Sequence, residues 1–505
     1  MTRPPLGLVV VLALLAGGTA LGGTVLDGGA RPTTSQASVT PVVGATAVCP
    51  DIRNRGQQVE TRVSVGAAPA PDDVEDLAGQ VLGQPLNDRS APGALPVREP
   101  GQVAIGLASE LDGDAYVVDA RGPVAAGLEV EQVTRGESGA ERGFAGLRCE
   151  APRTEAWFVG GSAAVAESTL LQLANPDATN AFVDVTVYTA EGPVDARQGR
   201  GILVPGRKRA PIKLDDLAPG KDLLAVHVQA QRGRVAAAMR HVRWDGQTPR
   251  GVEWVPQSQP PSTEVVVPGL PSRDSAGFGR RFLYVTNPTT DDAVVSVQLT
   301  SGDGQFVPTG LEAIEVPAGR TVSTEVTELM AETSAALRVT SDGAPVLAAG
   351  FVLDAQDPTQ PIREFAYAGS ARPLTGLAVL TDLVIDRPTE SSLLLAALDG
   401  DASVEVSLVP IIGQAGELPA PKVVTVPGGR TVALRLSTFF PPGAEVRLAV
   451  EVRPVAGSGP VYATRYLRER GERGPLTTIL QLQGAAQEVT RPVVARDPGA
   501  ATRTD

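Results

Sequence analysis

Alternating apolar and polar positions run through most of the chain. In VRLAVEV (446 to 452), Val446, Leu448, Val450 and Val452 fall on one face, with Arg447, Ala449 and Glu451 on the other. A period of two with one apolar face predicts a half-buried strand. Between such runs stand turn residues: Asn175-Pro176, Asn287-Pro288 and Asp399-Gly400. Proline fixes φ there, and Asn, Asp or Gly adopt what a tight turn demands.

These landmarks repeat. ILVPGRKRAPIKL (202 to 214), IEVPAGRTVSTEV (314 to 326) and VTVPGGRTVALRL (424 to 436) are versions of one segment. Val204-Pro205, Val316-Pro317 and Val426-Pro427 are 112 and 110 residues apart, and the two Asn-Pro turns are also 112 apart. A further pair of alternating runs follows each Val-Pro element and breaks at Gly233, Gly343 or Gly459. A weaker copy lies upstream, with Gly122 111 residues before Gly233. Each copy opens on a short apolar strand: AVCP at 47, AWFV at 156, EVVV at 264 and LAVL at 377. A fixed period with landmarks in one order indicates a repeat architecture.

The expected fold is therefore all-β, with four tandem immunoglobulin-like β-sandwich modules after an N-terminal hydrophobic segment. Roughly seven alternating strands in ~100 residues is the sandwich pattern, with a β-barrel domain as the fallback. The modules are placed at 47–150 (degenerate), 151–255, 263–370 and 376–485, arranged as a tethered rod. Residues 68 to 95 have no counterpart in the other copies and read as a loop or short helix. Residues 27–46 read as a flexible stalk and 486–505 as a disordered tail.

Residues 6 to 26 carry no charge and follow Arg3. The first half suits a signal peptide, and the full stretch reaches the ~20 residues of a membrane span. Residues 1–26 are thus a signal peptide or a transmembrane anchor, with a retained anchor favoured. Either places the bulk of the chain outside the cytoplasm. Cys49 and Cys149, the only cysteines, are then most simply one disulfide. It would staple the module whose repeat pattern is weakest. A net charge of −13 argues against nucleic acid as a partner. The excess of Arg over Lys and the Ala, Gly, Val and Pro richness suggest a high-GC bacterial genome.

Candidate chemistry is sparse. His227 alternates with apolar neighbours and shares its slot with Arg338 and Glu451, which predicts a solvated face. His241 has no acidic or nucleophilic neighbour in sequence. Asp-Gly-Asp at 112 to 114 and 399 to 401 could offer oxygens to calcium, but falls short of the ligands needed and reads as a turn. Arg207, Arg320 and Arg430 recur once per module as solvated turn residues. Of Trp157, Trp244 and Trp254, Trp157 is a strand residue expected in the core. No catalytic, cofactor-binding or metal-binding residues are expected, and no cofactor.

LRCEAPRTEAWFVGG (147 to 161), LANPDATNAFVDVTVYTAEGPVD (173 to 195), RGILVPG (200 to 206), LAPG (217 to 220) and LAVHVQAQRGRVAAAM (224 to 239) carry a family resemblance. They resemble an actinobacterial family of secreted or membrane-anchored proteins classed as a domain of unknown function. The resemblance spans roughly residues 46 to 485 and is strongest in the second copy. It implies export and an actinobacterial envelope, and brings no catalytic residues with it.

The expected function is that of a non-enzymatic, extracytoplasmic cell-envelope protein, anchored to the cytoplasmic membrane or secreted. A tethered β-sandwich array would act as an interaction or scaffold module for an unknown envelope protein or glycan. It would touch the membrane through its N-terminal segment only. The alternatives are an extracytoplasmic enzyme or accessory subunit acting on envelope polysaccharide, and a stalk or assembly partner for a membrane-bound glycosyltransferase system.

Overall fold

The alternating runs form strands, and the recurrent landmarks are tied together physically. In a computed structural model, residues 38–52, 59–68, 78–111, 114–272, 279–330, 332–355, 364–386, 388–413 and 418–491 are described. The uncharged segment 6 to 26 lies outside them, as does the expected stalk up to residue 37. No described helix is long and apolar enough to cross a membrane. The described chain is all-β, with helical segments of at most four residues.

Ala181–Thr189 shows why the pattern folds as it does. Ala181, Val183, Val185 and Val187 are buried in one core, while Asp184, Thr186 and Tyr188 point the other way. The turn before this strand is held by Asn175. Its side-chain NH2 donates to the carbonyls of Thr179 (2.8 Å) and Val204 (3.0 Å), and its Oδ1 accepts from Asp177 N–H (3.0 Å). Asn287 does the same with Asp291 (2.7 Å), Val316 (3.0 Å) and Thr289 (3.0 Å). The Asn-Pro and Val-Pro landmarks keep step because one side chain bonds both. Each such buried hydrogen bond contributes about 1 kcal/mol net.

Sheets face each other in pairs across large buried clusters. In one pair the strand order is Lys208–Lys213, Glu167–Asn175, Ala236–Asp245, Thr248–Val255. It faces a sheet ordered Gly192–Val194, Ala181–Thr189, Ala225–Arg232, Glu155–Val159, Gln257–Ser258. The same order returns as Thr321–Glu325, Gly279–Thr286, Leu347–Asp354, Glu364–Gly369. It returns again as Arg430–Arg435, Thr389–Ala397, Tyr462–Gly471, Gly474–Gln481. Nearest the N-terminus it is Val103–Leu107, Val59–Ala67, Leu128–Gly136, Gly143–Arg148, facing Gly44–Cys49, Tyr116–Arg121 and Gln80–Pro85. Gln80–Pro85 lies within the stretch expected to be a loop or short helix. It is a strand, with Val81 in the core and its edge bridged from Gly83 to Ala94. Proline and glycine on both sides obscure its alternation. Ser38–Pro41, in the expected stalk, pairs with Glu488–Arg491, in the expected tail.

The opening strands Glu155–Val159, Glu264–Leu270 and Ala378–Ile385 are buried on both faces, as is the Ala47–Cys49 end of Gly44–Cys49. Ala156 and Phe158 point into their own core. Trp157 and Val159 point outward and pack on Leu347 and Ala349 of the next sheet pair. Trp157 is thus not a residue of its own sandwich core, as expected, but of the contact between pairs. Val48 meets Ala174 and Ala236 in the same way, Val266 meets Ala396 and Tyr462, and Val379 meets Ala68. Fully burying one such Val or Leu stabilises by about 1.5–3 kcal/mol.

The contact made by Val379 returns the chain to its beginning. Ala378–Ile385 packs against Val59–Ala67 and Leu128–Gly136, so within the Pro41–Gln487 unit the last sheet pair rests on the first. The four closing strands Gly143–Arg148, Thr248–Val255, Glu364–Gly369 and Gly474–Gln481 pack one on the next in a cycle. The expected rod is therefore replaced by a closed ring. A rod would have left the outward faces of the opening strands in water, and those faces are apolar.

Candidate functional site

Two features concentrate polar chemistry: a cleft beside the disulfide and a buried relay between sheet pairs. Cys49 ends an opening strand and Cys149 follows the closing strand Gly143–Arg148. Their Cα atoms are 4.8 Å apart and the bond is formed. Both are buried, and the next residues continue the pairing, with Val48 N–H donating to Glu150 O (3.0 Å).

A cleft of about 630 Å³ opens next to this bond. Its volume is in the range of small-ligand sites. Arg148 forms one wall, held by Glu129 (2.7 Å), Glu150 (3.0 Å) and Gln483 (3.1 Å). Arg153 lies 3.6 Å from Glu150 and is more than half exposed. Arg121 is exposed and, among the described residues, has no ion pair. Asp119, two residues before Arg121 on the same strand, also lines the cleft; it accepts from Thr46 Oγ1 (2.6 Å) and is paired with Arg89. The cleft also lies where the unit's two ends run side by side, since Val42 N–H donates to Gln487 O (2.9 Å). Spacing gave no hint of it, because its residues are scattered from 42 to 486.

His241, which has no acidic or nucleophilic neighbour in sequence, acquires partners through the fold. His241 Nδ1 lies 2.8 Å from Tyr367 Oη and its Nε2 lies 3.3 Å from Glu167 Oε2. Gly161 N–H donates to Tyr367 Oη (3.0 Å), and Arg243 Nε bonds the other Glu167 oxygen (2.9 Å). Burial pushes the imidazole below its usual value, and the hydrogen bond to Glu167 opposes it only partly. Burial also pushes Glu167 up. The hydrogen bond and charge of His241, then Arg243, outweigh that and hold it at about 2. One proton arrangement satisfies these groups with a neutral ring. Tyr367 O–H donates to Nδ1, and Nε2–H lies against the ionised Glu167 (3.3 Å), whose charge Arg243 balances. His241 and Tyr367 are each only 2% exposed. The relay therefore joins two sheet pairs, and of its three members only the Glu167 carboxylate is partly exposed. Glu167 and Tyr367 are 74 and 126 residues from His241, beyond what sequence reading could connect.

The other candidates fall into structural places. His227 is not on a free solvated face. It stacks on Trp157 with ring centroids 3.7 Å apart, and Glu155 accepts from both rings, at 2.9 Å and 3.0 Å. Its slot-mate Arg338 pairs with Asp399, across the contact between sheet pairs. Asp399 and Asp401 of the second Asp-Gly-Asp are thus occupied, Asp401 by Gly428 N–H (2.7 Å). Asp114 pairs with Arg209 (2.7 Å), while Asp112 and Gly113 lie outside the described residues. Trp254 is buried against Ala145 and Leu147, and Trp244 is half-buried beside it.

The arginine slot is a correction of register. Arg207 sits at φ +56°, the turn position held by Gly319 (+72°) and Gly429 (+69°). Its neighbour Lys208, whose N–H bonds Pro205 O, matches Arg320, whose N–H bonds Pro317 O. Val204 is three residues before Arg207, but Val316 and Val426 are four before Arg320 and Arg430. The recurring slot is therefore Lys208, Arg320 and Arg430.

Fold and site together define an all-β protein of paired sheets, closed on itself and carrying one disulfide beside an arginine-lined cleft. The chain belongs to a family of unknown function, DUF5719, which matches residues 106–437. That match is narrower than the span of roughly 46 to 485 expected from the resemblance, and it excludes the strand bearing Cys49. Comparison with curated proteins finds no match.

Proposed function

We propose that the chain is an exported, non-catalytic platform of the actinobacterial cell envelope. It consists of four copies of one immunoglobulin-like sandwich closed into a ring. It is held at the cytoplasmic membrane or secreted, and binds an envelope protein or glycan bearing acidic groups. The observation that carries this reading is the cleft beside Cys49–Cys149, lined by Arg121, which has no ion pair among the described residues, and by Arg153, which is weakly engaged. In a chain of net charge −13, two available guanidinium groups at one cleft favour an anionic partner.

Further observations support the parts. The returning strand order supports four copies, and seven or more strands in two facing sheets support the immunoglobulin likeness. A buried disulfide is consistent with an oxidising compartment, and with the uncharged segment 6 to 26 supports export. Burial of His241 and Tyr367, the two ring members of the relay, supports a non-catalytic role.

The test is capture from an envelope extract by the immobilised full chain, beside the doubly reversed variant Arg121→Glu/Arg153→Glu. Both side chains are exposed, so the variant is expected to fold, as checked by circular dichroism. The expected result is a partner enriched by the native chain and lost with the variant. Equal capture by both would remove the cleft from the proposal, and no enrichment by either would remove the interaction role.

A further inference from the structure

The four closing strands meet at a point crowded with acid groups. Glu253 lies on Thr248–Val255 and Glu364 opens Glu364–Gly369; both are buried. Glu253 Oε1 accepts from Gly146 N–H (3.0 Å) on the neighbouring closing strand and from Trp254 N–H (2.8 Å). Glu364 Oε1 accepts from Phe365 N–H (3.1 Å). Among the described residues, the second oxygen of each is buried without a hydrogen bond. Packing is close: a Cβ on Gly251 would stand 2.5 Å from Glu364 Oε1.

The cations that face this point do not balance it. Arg142 Nη1 is 3.8 Å from Glu364 Oε2, and its Nη2 is spent on the carbonyls of Arg473 (3.3 Å) and Pro475 (2.9 Å). Arg281 is committed to the third carboxylate, Asp354 (2.9 Å), which also accepts from Thr477 (3.2 Å). From the fourth closing strand comes Thr478, whose hydroxyl accepts from Gly146 N–H (3.0 Å). His241 is the cross-strand partner of Glu253, but its Nδ1 accepts from Tyr367 and its one N–H faces Glu167. Among the described residues, Glu253 pairs with no cation. An isolated buried carboxylate is far costlier than the neutral acid.

We propose that Glu253 and Glu364 form a proton-operated lock where the four closing strands meet: as neutral acids they pack there, and loss of their protons loosens the junction. Burial is the first cause raising both well above the usual carboxyl range. For Glu364 the charges of Glu253 and Asp354 add to it and Arg142 opposes it. The sign follows from linkage. A carboxyl raised in the folded state contributes fully below its unfolded value of about 4.5. The contribution declines above that and is lost as pH rises through the folded value.

The experiment uses the full chain and Glu253→Gln/Glu364→Gln, whose amides mimic the neutral acids. Between pH 6 and pH 9 the native chain's urea midpoint is expected to fall and that of the variant to stay level. At pH 7 the native chain is expected to show the infrared carbonyl band of a protonated carboxylic acid, which the variant lacks. Parallel pH profiles, or no such band in the native chain, would overturn the proposal. If the double variant does not fold, the band in the native chain and the pH profile of Glu253→Gln alone decide it on the same terms.

Discussion

Replacement of both cysteines, as Cys49→Ala/Cys149→Ala, is expected to destabilise the unit by about 4–5 kcal/mol. The bond closes a loop of 100 residues, and chain-entropy arguments assign about 4.7 kcal/mol to such a loop. The structure gives reasons for the full value to be felt. The loop contains nearly the whole first sheet pair, whose core is built mainly of valine and alanine with Leu95, Leu111, Ile52 and Tyr116 as the large members. The strand it fastens serves two contacts: Ala47 and Cys49 face that core, and Val48 faces Ala174 and Ala236 of the next pair. Freeing the strand therefore loosens both. Equilibrium urea unfolding of the oxidised native chain beside the variant measures the difference. A loss below about 1 kcal/mol would mean that this strand does not anchor the ring.

Arg465→Leu is expected to cost about 3–5 kcal/mol, the range for breaking one side of a buried ion pair. Arg465 is 1% exposed and its Nη1 lies 3.2 Å from Glu131 Oε2, across the seam where the last sheet pair meets the first. The same Glu131 oxygen accepts from Thr381 N–H (3.2 Å) and Oγ1 (3.1 Å). Removing the guanidinium leaves a carboxylate in a place from which water is excluded. Arg465 Nε and Nη2 make no hydrogen bond among the described residues, so the pair itself is incompletely compensated for leaving water. The double variant Arg465→Leu/Glu131→Leu is accordingly expected to recover most of the loss. Denaturation of the two single variants and the double forms a complete cycle. Equal losses in single and double variants would show that the seam does not depend on this pair.

What sequence could and could not show follows from range. Strand runs, Asn-Pro turns and Val-Pro elements are local, and a repeat of about 110 residues displays them several times over. The second use of the opening strands was also written in the sequence. EVVV and AWFV lack alternation, the mark of a strand buried on both faces. Trp157 and His227 are understood only when that outward face is given a partner. The acid junction and the Glu167–His241–Tyr367 relay were beyond reach. Their members sit on different sheet pairs, where no periodicity links them. The register of Arg207 was legible, since counting from the Val-Pro pair places it opposite Gly319 and Gly429, but the arginine in a glycine position disguised it.

Ring closure is the claim on which the rest depends, and a cysteine pair placed across the seam tests it most directly. Ser64 and Thr381 are buried with their hydroxyl oxygens 2.6 Å apart, although 317 residues separate them. In Ser64→Cys/Thr381→Cys the two thiols are expected to join on oxidation of the folded protein, seen as a linked peptide pair by mass spectrometry. Thiols that stay free and separately alkylated in the folded chain would contradict closure and restore the rod.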